Sequence, residues 1–172
     1  GYSLALCPAS TAGSSSGIIG DFSRVFFHGM SQTTIHQSAP TIPESVYAAY
    51  QLTFAVATPT LMCGSFAERM KYFPCLIFMG LWLITVYCPV AHAIWHPDGF
   101  LYKMDIMDLA GGLVVHLNAG IGSLMCVKVI GNRRLHDNNF KSKGNEPHNI
   151  LFTVVGCCMM WYGINLDVVL TT

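Results

Sequence analysis

The chain has 172 residues, 52% of them hydrophobic and only 10% charged, with nine Lys and Arg balancing nine Asp and Glu. Ordinary soluble domains carry about 25% charged residues. The deficit excludes a disordered chain, a coiled coil and a nucleic-acid binder, and it suits a chain whose first partner is the lipid bilayer.

Residues 1–42 come first and are rich in Gly, Ser and Thr, with a small, flexible run at Thr11 to Gly17. The first residue is Gly1, which points to a partial chain. No charged segment with a short apolar core opens it, so no cleavable leader is expected. Ile18 to Gly29 mixes apolar and polar residues and reads as a short interfacial helix. Pro40 and Pro43 then stop that segment and start the next.

From there the charges cluster. None lies between Glu44 and Glu68, Lys71 and Asp98, Asp108 and Lys128, or Glu146 and Asp167, leaving uncharged runs of 19 to 26 residues. A helix needs about 20 residues to cross ~30 Å of hydrocarbon. The pattern predicts an all-α membrane protein with four transmembrane helices, at about 43–66, 73–95, 108–130 and 149–168, in a single domain. Pro59 and Pro89 fall inside two of them and predict local bends.

The loops orient the chain. Seven basic residues (Arg69, Lys71, Lys128, Arg133, Arg134, Lys141, Lys143) fall on one side, and Arg24 and Lys103 on the other. The positive-inside bias puts 67–72 and 131–148 in the cytoplasm, and 1–42 and 96–107 outside. Glu68 and Arg69 read as a solvated or inter-loop ion pair. The seven cysteines include no C-x-x-C pair and sit mostly in apolar runs, so neither a structural metal nor a cofactor is expected.

Polar groups inside spans are costly and call for a reason. Asp108 opens the third span and reads as a helix N-cap, a functional charge, or both. Eight helical residues would place His116 about 12 Å below it, with Gly112 and Gly120 on the same face. His116 reads either as a helix–helix hydrogen bond or as a pore group. Trp95 ends the second span, as a belt aromatic or as a π face for a cation. Phe54, beside Tyr50, Gln51 and Thr53, reads as packing or as part of the same path. His92 and His96 flank Trp95 at the interface and need no special explanation there. One theme would join Trp95, Phe54, Asp108 and His116: a small nitrogen cation drawn by a carboxylate, held over aromatic faces, then passed to an imidazole that exchanges protons.

Residues Asp108-Leu-Ala-Gly-Gly-Leu-Val-Val-His116-Leu-Asn118-Ala-Gly120 closely resemble the D-F-A-G-G-x-V-V-H-x-N-A-G signature of ammonium transporters, the ammonium/methylammonium permease and Rhesus protein superfamily. Leu109 replaces the usual Phe. Tyr50–Ala55, Gly64–Met70, Pro89–Trp95 and Glu146–Asn149 extend the likeness, and Gly1–Ala5 resembles the end of the family's second helix. The resemblance implies an eleven-helix protomer of two inverted repeats, a homotrimer and the plasma membrane. It implies no enzyme activity. It implies that Trp95 and Phe54 recruit ammonium, that Phe54 is one of two gate rings, that Asp108 lies below the outer site, and that His116 is the first of twin pore histidines. The family's sixth helix usually continues G-W-F-G-F-N-x-G-S. Here Trp161-Tyr162-Gly163-Ile164-Asn165 echoes it in part, and Leu166-Asp167-Val168 departs. Ile164 aligns with the second gate Phe only across a short deletion, so neither that ring nor the recruitment Ser is assigned. The second pore His would lie beyond Thr172. By this resemblance the chain is about the middle two-fifths of a transporter that takes up ammonium outside and conducts ammonia. The alternatives are an ammonium sensor of the same fold, a truncated product without activity, and a haem protein, for which His116 lacks a partner at its depth.

Overall fold

The computed structural model describes residues 2–7, 18–131 and 149–171. Thr11–Gly17, the basic residues Arg133, Arg134, Lys141 and Lys143, and Glu146–His148 lie outside them, as do the side chains of Leu166, Asp167 and Val168. The described chain is mostly helical. A short helix α1 (Tyr2–Leu6) is followed by a two-stranded antiparallel hairpin, β1 (Ile35–His36) and β2 (Ala39–Pro43), which the sequence did not announce. Helix α2 (Glu44–Phe66) comes next. Helices α3 (Tyr72–Trp82) and α4 (Cys88–Trp95) are joined through a π turn at Leu83–Tyr87. A second π turn, Gly112–Leu117, leads into α5 (Asn118–Ile130), and α6 (Ile150–Thr171) closes the described chain.

Two helical segments are long and apolar enough to cross a bilayer, by length and composition: Tyr72–Trp95 with 24 residues and Gly112–Ile130 with 19. Helix α2 runs for 23 residues, and the apolar part of α6, Ile150–Asn165, is shorter.

Several local expectations change. The segment 18–29 is not a helix. Its only helical turn is a 3-10 turn at Val25–Phe27, where Phe26 and Phe27 take left-handed backbone angles (φ 53° and 60°). Contacts outside the segment decide its course: Ser3 Oγ donates to Asp21 O, and the Arg24 guanidinium reaches Glu44. Helix α2 passes through Pro59 without a break, and the Thr58 hydroxyl donates to Phe54 O at 2.7 Å in that turn. The turn before Pro89 does change, to the π form, because a proline cannot donate to the carbonyl four residues back.

Arg69 does not pair with Glu68 among the described residues. Glu68 takes a left-handed angle (φ 65°), and the Arg69 guanidinium donates to the carbonyls of Ser65 and Gly131, tying the ends of α2 and α5 together.

Helix α2 packs chiefly on α5, and α1 on α4. The α2–α5 seam is close because Gly122 has no side chain: a Cβ there would lie 2.6 Å from Met62 Cε. Met62 is 1% exposed, and it anchors a core with Phe66, Trp82, Tyr87, Cys88 and Val114. Burying such a side chain contributes about 1.5–3 kcal/mol. Helix α6 contrasts with this. Every residue from Ile150 to Gly163 is exposed, and Ile164 is half-buried.

Candidate functional site

The site is built where α4 stops and the second π turn starts. The third predicted span was expected to be helical from Asp108. Instead residues 108–111 are irregular, and Gly111 takes a left-handed angle (φ 77°) that only glycine adopts without strain. A Cβ on Gly111 would also lie 2.8 Å from Val115 Cγ2 and 3.6 Å from the Trp95 ring. The regular helical separation of Asp108 and His116 is therefore corrected. Only the stretch from Gly112 onward is helical, about 6 Å of rise to His116 at the α-helical pitch.

The irregular stretch lets the Asp108 carboxylate fold over the start of the helix. Oδ1 accepts from Gly112 N–H at 2.7 Å, and Oδ2 accepts from Leu113 and Val114 N–H, each at 2.9 Å. Three of the N–H groups that a helix start leaves free are met by one carboxylate, which also complements the positive end of the helix dipole. The capping reading of Asp108 is the one this geometry displays.

Trp95, the last residue of α4, donates its indole N–H to the Asp108 carbonyl at 2.8 Å. The indole plane then meets Phe54 of α2 edge to face, with ring centroids 5.6 Å apart and an interplanar angle of 67°. Tyr50, one turn before Phe54, continues the series at 5.0 Å and 87°. Three aromatic rings thus form one row, held at one end by Asp108. Each presents a π face or edge able to stabilise a cation by about 0.5–2 kcal/mol.

Phe54 also lines a cavity of about 360 Å³ with Tyr50, Ala110, Val115, His116 and Ile164. The His116 ring makes no hydrogen bond among the described residues, so the helix–helix bond expected as one alternative is absent there. The sequence-predicted residues are brought together as a path: Trp95 on Phe54, Asp108 behind Trp95, and His116 farther along the same wall as Phe54. Ile164 of α6 faces this cavity, although its alignment left it unassigned.

The sequence reading missed the histidines. His92 and His96 were taken as interfacial residues needing no account, but they are 0% and 1% exposed. Their rings stack at 4.6 Å with an interplanar angle of 12°. His92 Nδ1 donates to Ala5 O of α1 at 3.1 Å, and His36 Nε2 donates to the adjacent Leu6 O at 2.8 Å. Two histidines from separate elements thus satisfy the last carbonyls of α1. The signal was available in the spacing: His at 92 and 96 share one helix face, one turn apart. Burial pushes His96 down to about 4, and the facing His92 adds to the effect. No group of three His, Cys, Asp or Glu among the described residues is arranged to hold a metal ion.

Comparison with known proteins agrees with this arrangement. The Ammonium Transporter Family matches residues 1–170. An ammonium transporter of Bacillus subtilis is 35% identical over 163 residues, which is 95% of this chain and 37% of the relative. Ammonium transporter 1 of Dictyostelium discoideum is 36% identical over 166 residues, 95% of this chain and 34% of the relative. The crystal structure of Saccharomyces cerevisiae Mep2 superposes with a TM-score of 0.76 and 34% identity, over 95% of this chain and 35% of that one. The chain spans about a third of the length of the curated relatives it matches. With the family matched almost end to end and the fold shared with a solved member, this chain belongs to the ammonium transporter family.

Proposed function

We propose that the chain forms the outer entrance and upper pore of an ammonium transporter. The observation that supports this most is the continuous row from Trp95 through Phe54 into the cavity that His116 lines. An ammonium ion gives up water only if other groups replace it. The indole and phenyl faces supply π density, and the Asp108 carboxylate, though held by backbone N–H groups, lends its charge at short range. Beyond Phe54 the wall is apolar apart from Tyr50, Thr53 and His116, which disfavours a charged species and favours neutral ammonia. His116 is the group in that cavity able to accept a proton from, or donate a hydrogen bond to, the passing nitrogen.

In this reading the four apolar helical stretches cross the plasma membrane, with the Trp95 end outside, and the protein acts as a homotrimer rather than as an enzyme. The gate differs from the family's pair of rings: Phe54 shares its cavity with the aliphatic Ile164. Uptake of labelled methylammonium into liposomes carrying the chain is the direct test. Uptake that vanishes with Trp95→Leu and changes with His116→Ala is expected. Correctly inserted protein that moves no methylammonium would end the proposal.

A further inference from the structure

We propose that His92 and His96 are positioning residues for Trp95: as a neutral stacked pair they hold the last turn of α4 on α1, and protonation from the Trp95 side releases that turn, so acid loosens the cation site. The inference rests on the reading of Trp95 as the recruitment residue.

The hydrogen bonds define one protonation state. His92 Nδ1–H donates to Ala5 O, so in the neutral ring Nε2 is bare, and it is buried without a partner among the described residues. His96 Nδ1 accepts from the Asp98 backbone N–H at 3.1 Å, so its ring proton sits on Nε2. A proton added to His92 would create a buried N–H with no acceptor. A proton added to His96 Nδ1 would break the Asp98 bond. Protonating both would place like charges on rings 4.6 Å apart.

The surroundings favour the neutral pair. Facing His96 are His92 on α4, His36 on β1, and Asp98 and Lys103 on the loop that follows. Asp98 is the one acid among them, at 3.8 Å from Nδ1, and its other oxygen lies 3.9 Å from Lys103 Nζ. Burial and the two neighbouring rings outweigh it, and His96 is pushed down to about 4.

The sign follows from linkage. In the unfolded chain a His takes its proton near pH 6.5. The folded turn takes it later, so the full stabilisation is present above about pH 6.5 and drains as the pH falls toward 4. Trp95 stands on the turn between His92 and His96, whose own backbone bond (His96 N–H to His92 O, 3.2 Å) closes it. Loosening that turn displaces the indole from Asp108 and Phe54.

The test uses the full chain in liposomes with Trp82→Phe and Trp161→Phe, leaving Trp95 as the sole indole. Its emission should be constant above pH 7 and shift steadily between pH 6.5 and 5. Adding His96→Gln, which is uncharged and offers an oxygen to the Asp98 N–H, should leave the emission at pH 7 unchanged and flatten the shift. No shift in the parent, or an equal shift in a His92→Gln/His96→Gln chain, would overturn the proposal. If the glutamine chains do not fold, hydrogen exchange of the unsubstituted chain decides. Amides of 93–101 should lose at least tenfold protection from pH 7 to 5 after correction for intrinsic rates, and unchanged protection would refute the latch. Adding ammonium at pH 7.5 separates the two readings. A pH response without an ammonium-induced emission change removes the recruitment role of Trp95 and keeps the latch.

Discussion

The α4–α5 junction and helix α6 are both apolar in sequence, yet they are held in place by different means. At the junction, one carboxylate meets three backbone N–H groups, an indole N–H meets a carbonyl, and two buried histidines stack. Along α6, Asn149 Oδ1 accepts from Phe152 N–H as an N-cap, and the helix then continues with its flanks exposed to Gly163. Placement at the junction comes from directional polar contacts. Placement of α6 comes from helix propagation and whatever solvates its sides. A conducting site needs the first kind, because a ring displaced by 1 Å no longer faces its ligand.

The sharpest break in that comparison should come from Asp108→Ala. It strands three N–H groups and removes the dipole partner, a loss on the order of 3 kcal/mol or more. It should lower the melting temperature in detergent and abolish methylammonium uptake together. Gly111→Ala comes next, at about 1–2 kcal/mol, since a side chain would occupy a left-handed angle and press on Val115. Trp95→Phe keeps a ring but loses the bond to Asp108 O. Its melting should fall by about 1 kcal/mol in stability, with uptake weakened most at low ammonium. Ile164→Phe leaves stability nearly unchanged and should slow uptake by adding a second ring to the cavity. At the other end, Phe152→Ala on α6 should alter melting by less than ~0.5 kcal/mol. An effect as large as that of Asp108→Ala would erase the contrast.

The helices were legible because long uncharged runs have few other uses. Asp108, His116, Trp95 and Phe54 stood out as polar or aromatic groups at ends and centres of those runs, and the D-x-A-G-G signature named their neighbourhood. The break at Gly111 was not legible: glycines at 111 and 112 are compatible with a helix, and only the carboxylate folding back decides against it. The segment 18–29 has helical composition, but Ser3 and Glu44 determine its path from outside. The histidine pair was misjudged because sequence position near an interface does not reveal that α1 covers it. Ile164 was unassigned for want of an alignment, and the shared cavity with Phe54 supplies its place.

The two π turns carry a consequence for insertions and deletions. A π turn is an α-helix holding one residue too many, so each acts as a phase shift along its helix. Deleting one residue from Gly112–Leu117 would restore the α-helical ladder and rotate one flank against the other by about 100°. His116 would then leave the cavity wall while the hydropathy of the segment stayed the same. The pore wall is thus encoded in residue count as well as residue type, and a single-codon deletion there should be more damaging than most substitutions.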